Sequence, residues 1–175
     1  MAMELIKIDK VTLHCGVGAA GEELESAKAL LERISGRKAV LTKAKSRNPT
    51  FKIKEGDNIG TKVTLRGKEA AEMLKRALEV PDHAIPEKSF DNEGNVAFGV
   101  KEYIDFPGIK YDPKFGMMGF DVCITLVKRG VRVTRRKIEP ARLPRKQRVS
   151  RKEAQDFMAK NFAVKIVSAS EEENA

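Results

Sequence analysis

Cysteine is scarce in this sequence. The two present, Cys15 and Cys123, sit in separate strand-like apolar runs, and neither has a CxxC companion. They offer no zinc site, and they predict reduced thiols packed in the core of a cytoplasmic protein. Histidine is equally scarce. His14 and His83 have no serine or cysteine constellation around them, which leaves a catalytic reading little to rest on. Aromatic residues are only 6% of the chain, which argues against a sheet that works mainly by stacking single-stranded bases. No apolar run approaches the length that spans a bilayer, and the start, "MAMELIK", lacks the charged and apolar regions of a signal peptide. No membrane partner is therefore expected, nor any metal or cofactor.

Positive charge is abundant, and it is segregated. The net charge is +9, with charged residues at 34% and hydrophobic residues at 41%, a globular composition. Residues 37 to 54 hold Arg37, Lys38, Lys43, Lys45, Arg47, Lys52 and Lys54 and no acid. Residues 128 to 152 hold twelve cations, from Lys128 and Arg129 to Arg151 and Lys152, against the single acid Glu139. Such clustering is the footprint of a surface that meets a polyanion. In the first stretch, "TKAKSRNPTFKIKEG" reads as a basic hairpin. Its arms are 38 to 43 and 51 to 55, and its turn is Ser46-Arg47-Asn48-Pro49-Thr50. The second stretch has Pro140 and Pro144 and little apolar periodicity after Val133. It reads as an extended arm that orders on a partner, with "VRVTRRK" able to continue the preceding strand as a hairpin across Arg129-Gly130.

The remaining pattern interleaves strands and helices. "ELIKIDKVTLHC", 4 to 15, alternates as a strand with one slip near Asp9-Lys10. A helix follows over Glu22 to Ile34, with Leu24, Ala27, Leu30, Leu31 and Ile34 on one side and Gly36 as its stop. "IGTKVTLRG" is a strand. A second helix spans Lys68 to Glu79 and ends at Val80-Pro81. "VAFGVKEYI", 96 to 104, and "FDVCITLVK", 120 to 128, are strands. A third helix starts at Ser150, with Glu153 completing a capping box, and "AVKIV" closes with a last strand. The sum is an α+β fold, an antiparallel sheet with helices packed on one face, in a single domain over residues 1–175. The arm at 129–149 and a frayed acidic tail at 168–175 extend it.

One motif pulls the other way. Residues 16 to 21 spell GxGxxG after a strand and before a helix, the context of a dinucleotide-binding turn. The acid that should follow some twenty positions later is missing, and residues 37 to 45 there are basic. Glu22, Glu23 and Glu25 would crowd a pyrophosphate. A nucleotide-binding enzyme and a general polyanion-binding module therefore stand as alternatives to a dedicated RNA-binding protein.

Four blocks carry a resemblance. "VTLHCGVGAAGEELESAKALLERISGRKAV", "VLTKAKSRNPTFKIKEGDNIGTKVTLRG", "KSFDNEGNVAFGVKEYIDFPGIKYD" and "GMMGFDVCITL" occur in order within residues 4 to 128. They closely resemble the large-subunit ribosomal protein family numbered five, the 5S rRNA-binding protein of the central protuberance. The arm and "SRKEAQDFM" look like its archaeal and eukaryotic branch, and an archaeal source is expected. The resemblance implies a non-enzymatic protein that attaches 5S rRNA, meets P-site tRNA with its hairpin tip and bridges to the small-subunit head. Large-subunit rRNA and neighbouring large-subunit proteins are further partners. Carried over by position, Arg37, Thr42, Lys43 and Lys45 match the family's RNA-facing strand, and Lys38, Lys52 and Lys54 of the basic hairpin, with His14, complete the residues expected to face 5S rRNA. The tRNA-facing loop is Ser46, Arg47, Asn48, Pro49, Thr50 and Phe51, and Asp121 matches an acid at the start of the last long strand. Position 14 is His where the bacterial pattern has Asn, and position 37 is Arg where it has Gln. The arm residues expected to meet RNA or protein are Arg132, Arg135, Arg136, Lys137, Arg142, Arg145, Lys146 and Arg148.

Overall fold

A computed structural model describes residues 5–19 and 21–167. The elements run β1 (Ile6–Gly16), α1 (Glu22–Ser35), β2 (Val40–Lys43), β3 (Asn58–Leu65), α2 (Gly67–Glu79), β4 (Ala84–Pro86), β5 (Asn95–Val100), β6 (Phe120–Lys128), α3 (Arg132–Arg135), α4 (Arg151–Phe162) and β7 (Lys165–Val167). Five strands form an antiparallel sheet in the order β2-β3-β1-β6-β5, and β4 pairs with β7 in a separate parallel ribbon. This is the expected α+β fold. The acidic tail lies outside the described residues.

The period of two is visible in burial. Val11, Leu13 and Cys15 are buried on β1, Thr61, Val63 and Leu65 on β3, and Phe120, Val122, Ile124 and Leu126 on β6. The residues between them, such as His14, Lys62 and Asp121, are half-buried or exposed. A strand with one face covered and the other open must alternate in this way.

The chain divides into two compact units. The first comprises residues 12–65 and 99–122. Here α1 lies against β3 and buries Leu24, Ala27, Leu30, Leu31 and Ile34, the side its periodicity specifies. Gly36 ends the helix at φ 66°, and its N–H reaches back to the Glu32 carbonyl. The strand expected over 96 to 104 stops at Val100, because the chain turns inward to bury Tyr103. The Tyr103 hydroxyl accepts the Asp112 N–H at 3.0 Å and donates to the Asp112 carbonyl at 3.2 Å. Phe115 packs edge-on against the Tyr103 ring at 6.3 Å. Arg33 of α1 holds the Asp112 carboxylate at 3.0 Å, which fastens this long loop to the helix.

The second unit comprises residues up to 11, 66–98 and those from 123 onward. α2 buries Ala70, Met73, Leu74, Ala77 and Leu78. At α4 the capping box is formed. Ser150 accepts from the Glu153 N–H, and the Ser150 N–H donates to Glu153 Oε2 at 2.9 Å. β7 pairs in parallel with β4. Cys123 is half-buried rather than sealed in the core, since it occupies the alternate face of β6.

Candidate nucleic-acid interface

The first unit presents an open sheet face on which small and polar residues accompany one exposed valine, Val40. In β2 and β3 the register pairs Val40 with Lys62, Leu41 with Thr61 and Thr42 with Gly60. Val40, Thr42, Gly60 and Lys62 therefore share one face, opposite buried Thr61 and Val63. On the adjoining strands of this face, His14 Nδ1 lies 3.8 Å from Asp121 Oδ2, and both side chains are accessible. A Cβ on Gly60 would lie 2.9 Å from both the Cys15 carbonyl and Thr42 Oγ1, so only glycine keeps the floor level there. A shallow hollow of about 350 Å³ is lined by His14, Gly16, Val17, Gly18, Thr42, Ile59 and Gly60. Beneath the face, burial and the nearby Asp121 carboxylate push the Cys15 thiol up, and the thiol donates to the Gly119 carbonyl at 3.3 Å. Cys15 is thus a packed, protonated thiol.

The glycine turn is already committed. Val17 and Gly18 both donate their N–H groups to the Ile59 carbonyl, at 3.1 and 2.8 Å. A phosphate-cradling turn needs those donors free. Glu22, Glu23 and Glu25 occupy the first turn of α1, where a bound anion would meet them. Both observations tell against the dinucleotide alternative.

The hairpin differs from its expected form. Its second strand is β3, beginning at Asn58, and not residues 51 to 55. The connection from Ala44 to Asp57 folds back on itself. Ala44 donates to the Asp57 carbonyl at 2.8 Å, Gly56 donates to the Ala44 carbonyl at 3.0 Å, and Lys54 N–H donates to Asp57 Oδ2 at 2.8 Å. A bulge between Thr42 and Lys43 shifts the register where the ladder ends. Further out, Asn48 and Ile53 exchange both backbone hydrogen bonds, at 2.9 and 3.0 Å. The apex is therefore Pro49-Thr50-Phe51-Lys52, later in the chain than the expected turn. Lys52 adopts φ 55°, and its N–H donates to the Pro49 carbonyl at 3.1 Å.

The candidate residues sort accordingly. His14 and Thr42 meet at the hollow. Arg37, Lys38, Lys43, Lys45, Lys52 and Lys54 are all exposed, but Lys52 and Lys54 stand on the loop and not on a strand. Ser46, Arg47, Asn48, Pro49, Thr50 and Phe51 are exposed as well. Sequence reasoning passed over Gly60 and Lys62. The alternation of "IGTKVTLRG" carries the signal, since Thr61, Val63 and Leu65 inside require Lys62 outside.

The arm, in the second unit, is folded against its own unit. Arg135 grips Asp9 with two hydrogen bonds of 3.0 and 2.7 Å, and Arg66 adds a third contact at 3.1 Å. The Asp9 side chain is only 12% exposed, and the Arg135 hydrogen bonds hold its carboxyl below the usual range. Arg148 pairs with Glu93, and Arg136 Nε donates to the Glu139 carbonyl at 2.7 Å. Val149 is buried against Gly94, where a Cβ would fall 2.6 Å from the Val149 Cβ. "VRVTRRK" is not a strand. Gly130 at φ 100° breaks the extended run, and Arg132–Arg135 coils into α3 to bring Arg135 to Asp9. Arg132, Lys137, Arg142, Arg145 and Lys146 are exposed and make no ion pair among the described residues. Also among them, no cluster of His, Cys, Asp and Glu suits a metal ion, and no helix is long and apolar enough to cross a membrane.

Comparison with known proteins agrees over nearly the whole chain. Residues 2–54 match the family model for ribosomal protein L5, and residues 58–157 match that for the ribosomal L5P family C-terminus. The large ribosomal subunit protein uL5 of Sulfurisphaera tokodaii is 46% identical over 166 residues, covering 94% of each chain. That of Thermoplasma acidophilum is 46% identical over 166 residues, 94% of this chain and 98% of its own. That of Methanoregula boonei is 41% identical over 164 residues, 94% of this chain and 99% of its own. The chain belongs to the ribosomal protein L5 family, among its archaeal members, and that family is structural and not enzymatic.

Proposed function

We propose that the open sheet face, with the cations around it, holds 5S rRNA and attaches it within the large ribosomal subunit. Family membership makes the chain a structural constituent of that subunit, at work in the cytoplasmic ribosome. The open face is the observation that supports the finer reading. It is hollowed at Gly60, carries hydroxyl and imidazole groups at Thr42 and His14, and is flanked by a stretch, 37 to 54, with seven cations and no acid. Phosphates meet the lysines and fix position, while hydroxyls and His14 take hydrogen bonds from sugars and base edges. No aromatic ring from Phe, Tyr or Trp lies among the residues of this face, so it reads the shape of a folded RNA rather than stacking bases.

The loop of 46 to 51 reaches toward P-site tRNA. Exposed Tyr111 and Met117 suit a protein neighbour, and the loop that carries them, between β5 and β6, is our assignment for the bridge to the small-subunit head. The exposed arm cations Arg132, Lys137, Arg142, Arg145 and Lys146 face large-subunit rRNA or an adjoining ribosomal protein.

Filter binding tests the central part. Lys62→Glu places a negative charge on the open face without touching the core, and it should weaken 5S rRNA binding at least about tenfold, in line with a lost charge-assisted contact plus repulsion. A random RNA of equal length should compete poorly against the wild type. Equal competition would reduce the protein to a general polyanion binder. Unchanged affinity of Lys62→Glu would remove the open face from the interface.

A further inference from the structure

The apex of the hairpin loop holds an exposed phenyl ring, which the open face lacks. Phe51 is 70% exposed, among the most solvent-accessible large apolar side chains of the described residues. It makes no ring contact among the described residues. An exposed phenylalanine on a wandering loop would mean little, but this apex is fixed. The double hydrogen bond between Asn48 and Ile53 closes its base, Asn48 Oδ1 accepts the Thr50 N–H at 3.1 Å, and the Pro49 carbonyl accepts the Lys52 N–H at 3.1 Å. Proline at 49 restricts the backbone further. The ring stands exposed on a loop whose neighbours along the chain include Lys45, Arg47, Lys52 and Lys54, all exposed.

A flat ring held among cations matches the chemistry of a nucleotide. Phosphates take the cations, and the face of a base takes the ring. We infer that Phe51 is a stacking residue that caps one unstacked base, or the open face of a terminal base pair, on the RNA met by this loop. The inference rests on the reading that the loop touches tRNA, and it names how. Position is then set by charge, and grip by one stack. The protein uses two modes of RNA contact, shape on the sheet and stacking at the apex. Because the ring is exposed, replacing it leaves the core untouched, and melting should not move.

The experiment compares ribosomes reconstituted with wild type, Phe51→Trp, Phe51→Leu, Phe51→Ala and a Lys45→Gln/Arg47→Gln variant, reading the rate of tRNA release from the P site. Stacking on one base predicts release about tenfold faster for Ala, nearly as fast for Leu, and unchanged or slower for Trp. Leu matching wild type would overturn the stack in favour of plain apolar contact. Ala matching wild type while the Gln variant releases faster would overturn the stack and leave the tRNA reading standing. No change in either would overturn both. The chain has no native tryptophan, so Phe51→Trp also supplies a single indole in the free protein. Its fluorescence should be insensitive to 5S rRNA. Quenching by 5S rRNA alone would put the ring in the 5S interface and overturn the division of modes, and a blue shift on anionic vesicles with no ring effect on tRNA release would assign the apex to lipid.

Discussion

The hairpin loop and the arm carry comparable densities of lysine and arginine and place them differently. Around the loop, Lys43, Lys45, Arg47, Lys52 and Lys54 are exposed, and none appears in an ion pair among the described residues. In and beside the arm, Arg135 is bound to Asp9, Arg148 to Glu93, Arg151 to Glu87 and Lys128 to Glu153. Lys128 is itself buried at 8% exposure, with its ammonium 2.8 Å from Glu153 Oε1. A run of cations is therefore not one thing. Where acids from distant parts of the chain come to meet it, the charge fastens the segment down. Where none do, the charge remains for a partner.

The comparison breaks first at Asp9. Removing this carboxylate leaves Arg66 and Arg135 without their shared partner and frees α3 from β1. Asp9→Ala should cost about 2 kcal/mol, below the cost of breaking a fully buried pair because both guanidinium groups stay partly in water. Thermal melting should fall by several degrees, and limited proteolysis should cut within 129–149. Affinity for 5S rRNA should stay within about twofold once the protein is folded. A stable Asp9→Ala protein with an uncut arm would mean that the ion pairs are incidental.

Gly94 comes next. At φ 78°, with Val149 so close, an alanine has neither the backbone conformation nor the room it needs. Gly94→Ala should cost about 2 kcal/mol and loosen the end of the arm. The measurement is chemical denaturation, and a midpoint equal to wild type would show that Val149 is not seated there.

Acid sharpens the same contrast more gently. Asp9 and Glu153 are both held below their ordinary range, Asp9 chiefly by the Arg135 hydrogen bonds and Glu153 chiefly by Lys128. Between the folded and unfolded pKa values the unfolded chain binds more protons. The stability from these groups is thus complete above about pH 5 and drains as pH falls through 4 and below. Asp9→Asn should flatten the acid side of the stability curve, and an unchanged curve would assign acid sensitivity to other groups.

What could be read from the residues follows from how local each signal is. The buried side of α1, the Gly36 stop and the Ser150–Glu153 box are all written within a few positions, and they appear as expected. The α+β order and the family blocks are also legible. The hairpin's second arm is not legible because Lys52 and Lys54 alternate with Phe51 and Ile53 as a strand would. The fold-back is set by Asp57 and Gly56, whose hydrogen bonds no alternation reveals. The fold of the arm is hidden for a different reason. Arg135 finds Asp9 across 126 residues, and nothing near either residue announces the other. The room that Gly94 leaves is equally hidden, since the Val149 side chain it admits lies far along the chain. At the candidate site, His14 and Thr42 were legible through the resemblance, whereas Gly60 and Lys62 needed the register of β2 on β3.

The most direct test measures the salt dependence of 5S rRNA binding beside the melting temperature in two variants. One replaces Lys43, Lys45, Lys52 and Lys54 by Gln, and the other replaces Arg135 and Arg148 by Gln. The account predicts that the first loses slope in log K against log salt, by about 0.7 to 0.9 for each phosphate contact removed, with melting unchanged. The second should keep the wild-type slope and melt at a lower temperature. The reverse pattern, a full slope without the loop lysines and a reduced slope without the arm arginines, would contradict the division of charge between binding and anchoring.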